Sequence, residues 1–126
     1  MSEVKRRQAE EIIKELAARL AARRCRGVKV NLRDAGYPLP EKINFDTLPE
    51  DGRVPDITSS VPDFIIEVED LDTIQDPQTF GYCKQLSVHA AKTFRTFILA
   101  APHSCMDTVK IQMSRLKIRN VNYIWY

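Results

Sequence analysis

The sequence predicts an α/β fold in which helices flank a mixed sheet. Three observations predict it. Apolar residues recur at helical spacing over residues 3–24. Short β-prone segments follow, with a tight connection between the second and third. Beyond residue 70, helix-type and strand-type segments alternate, the pattern of crossover units that pair strands in parallel. A chain of 126 residues has room for one core of ordinary size, so one domain is expected over 1–126.

Each element has its own reason. In the first helix Ala9, Ile12, Ile13, Leu16, Ala17 and Leu20 form the apolar stripe. Ser2 is a candidate cap, and Gly27 follows the helix end. Lys5, Arg6, Lys14, Arg19 and Arg23 lie on the opposite face, as expected of a helix that meets phosphates or solvent. Residues 28–32 alternate apolar and polar and read as the first strand. Residues 34–53 are rich in proline, glycine and acid and read as a loop excursion. Strands follow at 54–59 and 64–69, joined by a turn at Ser60-Val61-Pro62-Asp63. Asp76-Pro77 marks the start of a second helix, expected over 78–92. A buried strand at 93–100, a third helix at 107–115 and a terminal strand at 121–126 complete the order α-β-β-β-α-β-α-β. Tyr123 and Trp125 of the last strand are expected in the core or at an interface.

Charge is segregated along the chain. The formal net charge is only +2. Residues 1–30 carry nine basic and four acidic side chains, residues 31–79 three and twelve, and residues 80–126 seven and one. An acidic centre thus lies between two basic flanks. The charged start, MSEVKRRQAEE, is unlike a secretory leader, and no apolar run approaches a membrane span. Cys25, Cys83 and Cys105 are odd in number and form no CxxC pair, which suits reduced thiols in the cytoplasm. With only His89 and His103, a metal site would be built from carboxylates, which select Mg²⁺, Mn²⁺ or Ca²⁺.

The chemistry-bearing segment is Val54-Pro55-Asp56-Ile57-Thr58 followed by Phe64-Ile65-Ile66-Glu67-Val68-Glu69. Strand alternation puts Glu67 and Glu69 on one face, with α-carbons roughly 6.5–7 Å apart. A hairpin brings Asp56 next to Glu67. Three converging carboxylates suit a hard divalent cation, which can activate water and polarise a phosphodiester. The competing expectation is that all three are solvent-facing residues of a half-exposed hairpin.

This arrangement resembles the PD-(D/E)xK nuclease superfamily, which includes restriction endonucleases and archaeal Holliday-junction resolvases. The resemblance implies a restriction-endonuclease-like core, αβββαβ(αβ), over nearly the whole chain, and Mg²⁺- or Mn²⁺-dependent hydrolysis of DNA. It implies Asp56, Glu67 and the main-chain carbonyl of Val68 as metal contacts, and an acid on the first helix, Glu11 before Glu15. The family's motif lysine is replaced by Glu69, which would bind metal or act as a base. In some members the lysine migrates to the following helix, where Lys84 is the candidate, with Gln85 and His89 echoing a Gln-x3-aromatic pattern. The run Glu-Val-Glu, Asp76-Pro77 and a helix with Lys84 also looks like a subgroup of small nuclease-like proteins. The alternative implied by Glu69 is an inactive module of the same fold that binds nucleic acid or a protein. The resemblance further implies a homodimer, with VNYIWY as a candidate edge contact.

Overall fold

A computed structural model of the chain describes residues 3–45 and 52–126, with side chains described from Gln8 onward. Ser2, the side chains of Lys5 and Arg6, and loop residues 46–51 lie outside the described residues. The fold is mixed α/β, with three α-helices and one five-stranded mixed sheet.

The elements are α1 (Glu3–Ala22), β1 (Lys29–Val30), β2 (Ile57–Thr58), β3 (Phe64–Val68), α2 (Pro77–Thr93), β4 (Thr96–Ala101), α3 (Met106–Arg115) and β5 (Asn122–Trp125). The strands lie in sequence order across the sheet. β1, β2 and β3 pair antiparallel, and β4 and β5 then add in parallel. Each parallel step is made through a helix, α2 and then α3, as a parallel connection requires.

The predicted element order holds, and the boundaries that differ have local causes. α1 stops two residues before the expected end. Arg24 turns left-handed at φ 62°, and the Cys25 N–H closes back on the Leu20 carbonyl at 3.0 Å. Gly27 then takes φ 64° where an added Cβ would lie 2.2 Å from Ser60 Oγ, so the position demands glycine. β2 is shorter than the 54–59 segment because Pro55 has no N–H to offer a ladder. α2 begins as expected: Pro77 opens it, and the Asp76 side chain caps it by accepting from the Gln78 N–H at 3.0 Å.

Strand alternation divides the core into two layers. Ile66, Val68, Ile98 and Ala100 face α1, where they meet Ile13, Leu16 and Ala17. Ile65, Phe97, Leu99 and Ala101 face the other way, against Phe80, Cys83 and Leu86 of α2 and Val109 and Met113 of α3. The loop excursion joins this second layer. Ile43 and Phe45 are buried in it, and Ile43 and Arg53 exchange backbone hydrogen bonds of 2.8 Å each way. Tyr123 and Trp125 stack at 4.9 Å and pack against the same layer. No helix among the described residues is long and apolar enough to cross a membrane.

Leu99 is fully enclosed in β4. Leu99→Ala is expected to cost about 2–5 kcal/mol in urea denaturation. Ile111→Ala, on the exposed side of α3, is expected to change stability by less than about 0.5 kcal/mol.

Candidate active site

The site begins with the alternation of β3. Ile65 and Glu67 point to the α2 layer, and Ile66 and Val68 point to α1. Glu69 follows on the Glu67 side, one residue past the strand end, where its N–H still bonds the Ala100 carbonyl at 2.9 Å. The β2–β3 register pairs Ile57 with Ile66 and Thr58 with Ile65, which brings Asp56 opposite Glu67. Asp56 is fixed from two sides. Its carbonyl accepts from the Asn31 N–H at 2.9 Å, and its Oδ2 accepts from the Val68 N–H at 2.7 Å.

The half-exposed hairpin expected as the alternative is not what forms. Glu67 is 2% exposed and Glu69 4%. Both Glu67 carboxylate oxygens are buried with no hydrogen-bond partner among the described residues. Its nearest compensation is the guanidinium of Arg53, 3.4 Å from Oε2. Arg53 also lies 3.9 Å from Glu69 Oε1 and covers the ring of Tyr82 at 4.6 Å. Tyr82 is in turn in contact with Phe45, ring centroids 6.4 Å apart.

Electrostatics follow from this burial. Glu67 is held well above the usual carboxylate range, first by burial and then by Asp56, with Arg53 opposing. Burial also raises Asp56, against the Val68 N–H bond and Arg53. Burial pushes Glu69 up to about 7, against a hydrogen bond with Thr73 and the charge of Arg53. Burial lowers the affinity of Arg53 for its proton, but Glu67, Glu69 and Asp56 raise it more. Burial, then Glu69 and Glu67, push the Cys83 thiol far up, so it is no nucleophile.

The three carboxylates thus do not converge as expected. Among the described residues no group of three or more Asp, Glu, His or Cys is placed to hold a metal ion. Asp56 and Glu67 form a pair, while Glu69 turns toward Thr73 across the Arg53 guanidinium. A pair of hard oxygen ligands is nonetheless a fitting donor set for Mg²⁺, which is commonly held by one or two carboxylates with water and substrate oxygens completing the shell. The orphaned Glu67 oxygens fit such an ion.

The remaining predicted residues lie elsewhere. Glu11 and Glu15 are exposed on α1, which covers the opposite face of the sheet from Glu67; Glu15 pairs with Arg19 at 2.6 Å. Lys14, Arg19 and Arg23 are exposed on that same helix. Lys84 is exposed on α2 and makes no ion pair with the acids among the described residues. It lines a cleft of about 270 Å³ with Asn44, Phe45, Gln85, Val88 and His89. Gln85 Oε1 is buried there without a hydrogen-bond partner among the described residues. Val68 meets Asp56 through its amide N–H.

Sequence reasoning missed Arg53, Tyr82 and Tyr126. The Tyr126 hydroxyl donates to the Glu69 carbonyl and ties the terminal residue to the end of β3. Arg53 had one available signal. It is one of only three basic residues in the acidic stretch 31–79 and lies three positions before Asp56.

The raised acid of Glu69 makes a pH prediction. A carboxyl whose folded pKa exceeds its unfolded one keeps a proton that the unfolded chain loses. Its stabilisation is therefore full below about 4.5 and is lost as pH rises through about 7. Without divalent cations, urea stability is expected to fall between pH 5 and pH 7.5. Glu69→Gln is expected to flatten that fall, by at most ~3 kcal/mol from this group. An unchanged pH slope in E69Q is the contrary result.

Compared with models of known protein families, with curated proteins and with solved structures, the chain gives no match.

Proposed function

We propose that the chain is a metal-dependent nuclease that hydrolyses phosphodiester bonds in DNA. One observation carries the reading: a fully buried Glu67 beside Asp56, with both carboxylate oxygens lacking hydrogen bonds. Burying a carboxyl without hydrogen bonds is costly; the Arg53 guanidinium at 3.4 Å offsets part of that cost, and a divalent cation would offset more. The order of elements supports a restriction-endonuclease-like core: a helix, a three-stranded meander, a crossover helix and a parallel fourth strand.

In this reading Asp56, Glu67 and the carbonyl of Val68 hold Mg²⁺ or Mn²⁺. The bound ion supplies a water of lowered pKa and polarises the phosphodiester. Asp56 is oriented for its task by the Val68 N–H. Glu69, on the same side of β3 as Glu67, would take the proton released from the attacking water. Lys84, exposed on α2 in the cleft beside Phe45 and Gln85, would add affinity for the nucleic-acid backbone. Lys14, Arg19 and Arg23 add affinity for the backbone and no chemistry, because α1 lies across the sheet. A homodimer would present two such sites to two strands.

A second reading is a non-catalytic module of the same fold that binds nucleic acid or a protein. Arg53 favours it, since a guanidinium already offsets part of the acidic charge.

Purified protein incubated with plasmid, single-stranded DNA, branched DNA and RNA separates the two. Cleavage is expected with Mg²⁺ or Mn²⁺ and none with EDTA. Asp56→Ala and Glu67→Ala are each expected to lose at least about 100-fold in rate, as removal of a principal electrostatic contributor does. Cleavage that persists in both variants is contamination and ends the enzyme reading. Binding without cleavage supports the module.

A further inference from the structure

The two glutamates of this site are almost closed off from water, whereas Asp56 and Arg53 beside them are partly exposed. Glu67 and Glu69 side chains are 3% and 6% exposed, whereas that of Arg53 is 34% exposed. The guanidinium is thus a partly solvent-exposed cation in direct contact with Glu67. A nucleic-acid phosphate is negative, and the buried carboxylates repel it unless a cation stands at the mouth.

Arg53 is built to remain there. Its backbone is paired on both sides with Ile43. Its guanidinium rests on the face of Tyr82, a geometry that holds it without consuming its N–H donors. Its contacts to Glu67 and Glu69, at 3.4 and 3.9 Å, are charge contacts longer than good hydrogen bonds. The five donors of the fork are thus poorly used by the acids, and a phosphate accepts two of them at once.

We propose that Arg53 is the phosphate-contacting cation of this site, held by Tyr82 and aimed at the scissile group beside Asp56 and Glu67. The inference rests on the nuclease reading above and adds a catalytic residue and a positioning residue to it. The negative charge that develops on the phosphate during cleavage meets a guanidinium already in place, so no reorganisation is needed at that moment. Tyr82 acts through Arg53 and touches no substrate.

The test compares wild type with Arg53→Gln, Arg53→Lys, Tyr82→Phe and Tyr82→Leu. Two quantities are measured: single-turnover cleavage of an end-labelled DNA oligonucleotide with Mn²⁺, and Mn²⁺ affinity by calorimetry without DNA. R53Q is expected to slow cleavage by roughly 10²–10³-fold, with R53K recovering part of it. Mn²⁺ is expected to bind R53Q at least as tightly as wild type, since a like charge has gone. Y82L is expected to slow cleavage about tenfold while Y82F stays within about twofold, because the ring and not the hydroxyl supports the guanidinium. R53Q cleavage within about threefold of wild type overturns the assignment, as does loss of Mn²⁺ binding in R53Q. If circular dichroism shows R53Q unfolded, equal rates for Y82L and Y82F overturn it instead. Absence of cleavage by wild type removes the nuclease reading and this inference together, whereas wild-type cleavage with an unimpaired R53Q removes this inference alone.

Discussion

Glu67 and Glu69 are buried at the end of β3 beside a half-exposed Asp56, with the Arg53 guanidinium against both glutamates. Much of the surrounding structure answers to that constraint. Like charges in a dry site raise one another's proton affinity, as Asp56 does that of Glu67. The Val68 amide spends its hydrogen bond on Asp56. Tyr82 gives its ring to Arg53, and Thr73 gives a hydrogen bond to Glu69. Such neighbours hold a charged cluster in an interior that would otherwise favour apolar side chains of the same size.

The two faces of the sheet have different work. The α1 face is wholly apolar where it meets Ile66, Val68, Ile98 and Ala100, and it serves stability. The α2 face begins apolar, with Ile65, Phe97 and Leu99, and turns acidic toward the C-terminal end of β3. Ligand sites of open α/β sheets gather at such strand ends, where the chain leaves the sheet and makes room. Here part of the room is filled by Ile43 and Phe45, which join the core, and by Arg53, which meets the acids. The segment that reads as a loop in composition is therefore a wall of the site.

How much of this was legible differs from residue to residue. Period-2 alternation in FIIEVE was enough to place Glu67 and Glu69 together and away from Ile66 and Val68. Asp56 opposite Glu67 followed from the length of the turn. The burial of the two glutamates was not legible, because exposure depends on which helix lies over a face, and pattern alone leaves a charged face wet. Glu11 and Lys84 read as partners from their order along the chain, yet α1 covers the other face and Lys84 turns outward into the Phe45–Gln85 cleft.

The sequence by itself determined the order and type of the elements, the start of α2 at Asp76-Pro77, and the strand face on which the acids lie. These are local matters, decided by periodicity, capping and the missing N–H of proline. Only the tertiary structure decided that Glu67 and Glu69 are buried, that Thr73 bonds to Glu69, and that Arg53 lies against both glutamates. The physical reason is that charge compensation acts through space at a few ångströms, between segments whose separation along the chain carries no record of it.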